Sequence, residues 1–158
     1  MKLQLEEWSH LSQILAALVV IASLAYVALE IEQNTKAVQA ASYQAIVSNL
    51  TAVDLAVVTN PELDRIITKG ESSPDELTLE EWSTFSRYSL TRIGQLEMAY
   101  LSFIEGGLNV TQWSGIEVFM PALLCMPGYS RFWDEYYESV YAPVFVEYVK
   151  SNVTTKCN

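Results

Sequence analysis

One histidine in 158 residues, His10, limits what this chain can do chemically. A helical di-iron site draws a Glu-x-x-His pair from each of two helices, and a tetrahedral zinc site draws four His or Cys ligands. His10 with the distant Cys125 and Cys157 supplies neither set, so no metal is expected. A serine or cysteine nucleophile needs a base beside it, and no G-x-S-x-G elbow or His partner is present. Carboxylates remain. Glu97 falls among Ile93, Tyr100 and Ile104 by helical spacing, at the edge of a core rather than in open solvent. A carboxylate there could serve as a tuned acid or base. The plainer expectation, which we prefer, is an ionised packing clamp held by an arginine or tyrosine from a neighbouring helix, with Arg87, Arg92 and Arg131 as the arginine candidates. No catalytic residue, cofactor or metal ligand is assigned; the candidate structural or interface positions are Glu97, Tyr100, Trp82, Trp133 and Tyr137.

Charge excludes a further class. Nine Lys+Arg stand against 19 Asp+Glu, a net charge of −10, whereas phosphate-backbone binding needs clustered cations. No nucleic acid is expected. Aromatic residues gather between Tyr129 and Tyr148. Such a stripe reads first as core, second as a partner interface, because Tyr and Trp join large contact area to a polar tip, and third as a ligand pocket. Asp134, Glu135 and Glu138 between the aromatics mark the solvated face of that helix.

These positions hang on a chain whose opening is apolar. Leu11 to Leu29 is a run without charge in which Ser12, Gln13 and Ser23 are the polar residues. At about 1.5 Å per residue it reaches roughly 28 Å, close to the hydrocarbon thickness of a bilayer. A cleaved export signal is the competing reading. Glu6 and Glu7 in the n-region, the length of the run and the absence of a small-x-small site before Glu30-Ile31-Glu32 favour an uncleaved anchor. Trp8 would then sit in the headgroup belt. The organisation expected is a tail over 1–10, a transmembrane helix over 11–29 and an acidic helical-bundle domain over 30–158. Lys2 and Lys36 flank the span evenly, so charge does not orient it, and the two cysteines argue neither for nor against a disulfide.

No proline or glycine interrupts the chain before Asn60-Pro61, so the first helix can run on toward Thr59. Pro61 suits the first residue of a short helix closed by Gly70. Thr78 with Glu81 forms a capping box, opening a long helix that ends at Gly106-Gly107. Trp82, Phe85, Ser89, Ile93, Leu96, Tyr100 and Phe103 recur on it at spacings of three and four. A helix from about Thr111 to Met126 is interrupted or kinked by Pro121 and stopped by Pro127-Gly128; Ser130 caps the next, and Pro143 starts the last. No period-two pattern suggests a strand. The fold class is all-α, a single transmembrane helix continuing into a bundle of about five helices.

The order of these landmarks resembles a group of small proteobacterial membrane proteins of unknown function. Glu32-Gln33-Asn34-Thr35-Lys36-Ala37-Val38-Gln39-Ala40 resembles that group's I-x-Q-N-T-x-A-x-x-A stretch. Glu97, Tyr100 and Glu105-Gly106 resemble its E-x-x-Y-x-x-x-x-E-G stretch, and Pro127-Gly128 with Trp133, Tyr141 and Phe145 its closing P-G…W…F segment. The resemblance implies a single-pass inner-membrane protein and leans toward a cytoplasmic helical domain. The first functional expectation is an interaction or accessory protein of an inner-membrane assembly, bound to the bilayer through 11–29 and to a membrane-protein partner or a second copy. The alternative is a membrane-anchored small-molecule sensor with a cavity between its helices. An enzyme using buried carboxylates is third.

Overall fold

The computed structural model describes residues 2–157, with the backbone alone at residues 2–9, 11 and 138. The places expected for Trp8 and the Glu138 side chain therefore lie outside what is described. The described chain is helical, with no strand: α1 (Lys2–Val58), α2 (Pro61–Ser72), α3 (Leu79–Ile104), α4 (Val110–Glu117), α5 (Phe119–Leu124), α6 (Pro127–Val140) and α7 (Pro143–Asn152). Short 3-10 turns lie at Pro74–Glu76 and Thr154–Lys156. The chain divides into two compact units, Met1–Val38 and Gln39–Asn158.

The first unit is the opening part of α1. Every residue from Ser12 to Val38 is exposed. The helix is long and apolar enough to cross a membrane, with a mean hydropathy of 2.5 over its most apolar window. Ser23, polar within that stretch, returns its hydroxyl to the Val19 carbonyl at 2.8 Å, so the helix satisfies the group internally.

The second unit packs the remainder of α1 with α2 to α7. Gln39 donates to the Gly106 carbonyl at 3.1 Å, Gln112 donates to the Gln39 carbonyl at 3.3 Å, and Gln95 donates to the Asn49 carbonyl at 3.2 Å. Ile46 and Val57 are the buried side chains of this part of α1, while the core proper draws on every helix from α2 to α7. Phe85, Ser89, Ile93 and Leu96 of the expected stripe are buried on α3 with Ala99 beside them, while its Trp82, Tyr100 and Phe103 are half-buried.

Helix boundaries follow local chemistry. Thr78 and Glu81 form the capping box reciprocally. At the far end of α3, Gly106 has φ of 82°, and Gly106 and Gly107 donate to the Phe103 and Ser102 carbonyls. That is a Schellman closure, which needs a residue at ease with positive φ. Asn60 caps α2 through Glu62 and Leu63, with Pro61 at the first helical position.

Two expected boundaries are corrected. Gly70 does not close α2, which continues to Ser72; it is buried within the helix. Its missing side chain makes room, since a Cβ there would collide with the Phe85 ring, and one at Gly128 would collide with the Gly70 carbonyl. The backbones of α2 and α6 thus meet glycine to glycine beside Phe85. Ser130 is not a cap: α6 opens at Pro127, and the Ser130 N–H bonds to the Met126 carbonyl at 2.9 Å, inside the first turn. The 111–126 stretch is interrupted rather than kinked, as two helices, α4 and α5, which takes the bundle past the expected five or so. Pro121 has no N–H for the Glu117 carbonyl, and α4 ends at Glu117.

Candidate functional site

Four of the five positions singled out by sequence converge on α7. Trp133, 4% exposed, stacks between Tyr137 at 5.6 Å and Tyr141 at 5.4 Å and meets the buried Phe145 edge-on. Tyr100 reaches Phe145 from α3 and stacks on Tyr148 at 4.4 Å. Tyr137 carries the Lys150 ammonium 4.1 Å above its ring. Glu97, half-buried, accepts the Ala142 N–H at 2.5 Å. Ala142 is the residue before Pro143, so this carboxylate caps α7 at its positive end. The expected clamp by an arginine or tyrosine side chain is thereby corrected to a backbone N–H: Arg92 pairs with Asp54, and Arg131 with Asp75 and Glu135. A proline-headed helix without a side-chain cap of its own leaves a backbone donor that a carboxylate from α3 can take.

Trp82 stands apart from that group. It is half-buried, stacked on Phe85 at 5.6 Å with the Arg131 guanidinium 4.1 Å over its ring. The aromatic stripe is therefore core at Tyr129, Phe132, Trp133, Tyr141 and Phe145. Burial, and secondarily the Glu97 charge, push the Tyr141 hydroxyl above its ordinary range; that hydroxyl is buried with no hydrogen-bond partner.

A second set of polar residues, missed by sequence reasoning, lies between α1, α2, α3 and α6. Tyr129 donates to Glu71 at 3.2 Å. Burial pushes the Glu71 carboxyl above the usual carboxylate range, opposed by that hydrogen bond and by the Arg92 charge. Tyr88 is likewise raised by burial, against the pull of Arg92. Arg92 lies 3.1 Å from Asp54, yet its Nε and Nη1 are buried without a hydrogen bond, so the contact is ionic and poorly aligned. No sequence spacing brings Glu71, Arg92 and Tyr129 together; only their polarity at half-apolar helix faces hinted at a shared partner.

Arg92 also lines an open cleft of about 370 Å³. Tyr43, Val47, Leu50 and Asp54 of α1 form one wall, Leu96 joins Arg92 from α3, Gly115 and Ile116 come from α4, and Phe119, Ala122 and Leu123 from α5. This size lies within the range of small-molecule sites, and the lining matches their usual character of apolar walls with few polar groups. Phe119, 67% exposed, and Met126 stand at its rim.

Next to that cleft, Cys125 at the end of α5 forms a disulfide with Cys157, across a Cα–Cα distance of 5.1 Å. The bridge ties the chain after α7 to the α5 wall. Among the described residues no group of three or more His, Cys, Asp or Glu is arranged to hold a metal ion.

The stretches behind the family resemblance have structural duties here: Gln39 ties α1 to the α3–α4 turn, Glu97 caps α7, Gly106 terminates α3 and Gly128 admits α2. No family model, curated protein or solved structure matches the chain.

Proposed function

We propose that this chain is a single-pass membrane protein whose helical domain binds a small apolar molecule in the cleft between α1, α3, α4 and α5, as a sensor or accessory subunit rather than an enzyme. The cleft carries the reading: it is apolar along most of its lining and has one ion pair, Arg92 with Asp54, for orientation. The carboxylate best placed for acid–base work, Glu97, is engaged with the Ala142 backbone, which favours binding over catalysis. Thermal-shift screening of neutral apolar compounds against the full chain in lipid nanodiscs tests it. A hit should raise the melting temperature of wild type and leave Ala122→Phe, which fills the cleft, unmoved; equal shifts in both contradict the site.

The anchor is the uncharged part of α1, so removal of residues 1–30 should release the protein from alkali-washed membranes. The Cys125–Cys157 bridge supports a place for the helical domain on the oxidising side of a bacterial inner membrane, since disulfides persist there and are rare in the cytosol. This departs from the cytoplasmic lean of the resemblance, which here rests on Lys36 beside Glu30 and Glu32.

A second reading, docking to a membrane-protein partner, has its own observation. A shallow groove of about 310 Å³ runs between α3 and α6, lined by Leu79, Trp82, Leu90, Phe132, Tyr136 and Val140. Detergent pull-down with and without Leu90→Glu tests that surface: the variant should lose a stoichiometric partner, and its unchanged recovery contradicts docking there.

A further inference from the structure

We infer that the cleft selects an uncharged apolar molecule bearing a hydrogen-bond acceptor, a carbonyl above all, and that Arg92 is the residue that recognises it. The inference rests on the proposed ligand-binding role and adds the chemistry of the ligand. Two observations combine. Arg92 lines the cleft and is 20% exposed, while its Nε and Nη1 are buried without hydrogen bonds. Those two nitrogens are closed to the cleft, so an entering acceptor meets the exposed remainder of the guanidinium, whose mostly apolar surroundings make a charge-assisted hydrogen bond worth more than it would be in water.

Charge decides what kind of acceptor. Asp54 lies 3.1 Å from the guanidinium and lines the same cleft, so the positive charge is already balanced. The chain as a whole carries −10. A carboxylate or phosphate entering here would lose water and meet Asp54, a like charge, at close range. A cation would meet the guanidinium. A neutral carbonyl meets neither repulsion and accepts a charge-assisted hydrogen bond. Leu50, Leu96, Ile116 and Leu123 then cover the apolar body.

Matched cyclohexyl compounds test this with the full chain in lipid nanodiscs, heats into empty nanodiscs being subtracted: cyclohexyl methyl ketone, cyclohexanecarboxylate and cyclohexylammonium. The ketone should bind wild type about tenfold more tightly than either ion, and Arg92→Met should weaken it about tenfold, the scale of one hydrogen bond to a charged group. Asp54→Asn, on a side chain 55% exposed, removes the repelling charge and should raise carboxylate affinity toward that of the ketone. Ala122→Phe should remove all binding. If the carboxylate matches the ketone on wild type, or Asp54→Asn leaves their ranking unchanged, the neutral-acceptor inference is overturned while the cleft stands. If ketone binding survives Arg92→Met undiminished in a folded variant, Arg92 is not the recognising residue. Binding of none of the three to wild type overturns the inference, and a concurrent failure of the apolar screen takes the ligand-binding role with it.

Discussion

The Glu97 carboxylate accepts the Ala142 N–H at 2.5 Å, so a side chain on α3 closes the start of α7 forty-five residues further along the chain. A negative group at a helix N-terminus gains from the backbone dipole as well as from the hydrogen bond. Glu97→Ala should therefore lower stability by about 1–3 kcal/mol, and Glu97→Gln, which keeps an acceptor but loses the charge, by about 1 kcal/mol. Urea titration of the two variants checks the order; equal losses would mean that the charge contributes nothing.

Trp133 and Trp82 separate the buried from the half-buried aromatics. Trp133→Ala empties space among Tyr137, Tyr141 and Phe145 and should cost about 3–5 kcal/mol. Trp82→Ala removes a half-buried ring and its contact with Arg131, for about 2 kcal/mol. Tryptophan fluorescence through a denaturant series measures both, and a reversed order would contradict the assignment of Trp133 to the core.

Glu71 gives stability a pH dependence of a particular sign. Its carboxyl is raised by burial, so between its ordinary range and its folded value the native state holds the proton that the unfolded chain has released. Its contribution is fully present below the ordinary carboxylate pKa and is lost as pH rises through the raised folded value. Glu71→Gln keeps an acceptor for Tyr129 and removes that loss. The variant should melt higher than wild type at neutral pH and match it in acid; a lower melting temperature at neutral pH would show that the ionised form, held by Arg92, is the stabilising one.

Glu81 contributes in the opposite direction. The Thr78 backbone N–H, then Arg65, hold its carboxyl down to about 2. Its contribution is present above the ordinary carboxylate pKa and is lost as pH falls toward about 2, so Glu81→Gln should flatten the acid limb of the stability profile. An unchanged acid limb would contradict the capping box as a source of pH-dependent stability.

The Cys125–Cys157 bridge closes a loop with a sequence separation of 32, for which the chain-entropy account gives about 3–4 kcal/mol. The Cys125→Ser, Cys157→Ser double variant should lose that amount. In native membranes neither thiol should react with a maleimide before reduction; rapid labelling of both would place the domain in a reducing compartment.

The parts of this fold legible in the sequence are those set by local rules. The Thr78–Glu81 box, Pro61 and Pro143 at helix starts and the stripe from Phe85 to Leu96 all follow from spacing within one helix. What escaped depends on how helices meet. Gly70 and Gly128 looked like punctuation, because nothing in a linear pattern distinguishes a glycine that ends a helix from one that admits another backbone. Glu97 was legible as a core-edge carboxylate, but its partner was a backbone N–H, a group every residue but proline carries and no residue type announces. The cysteine pair and the meeting of Arg92 with Glu71 and Asp54 arise from contacts across α1, α2, α3 and the chain end, and no local signal encodes them.

Occupancy of the cleft is the central claim, and native mass spectrometry of the full-length protein, released from a mild detergent, measures it directly. The wild-type protein should carry a neutral adduct of small-molecule mass above its 17.8 kDa chain, and Ala122→Phe should fly without it. Wild type at bare chain mass, including after incubation with the neutral compounds found by thermal shift, or an adduct retained equally by Ala122→Phe, would contradict a ligand site between α1, α3, α4 and α5.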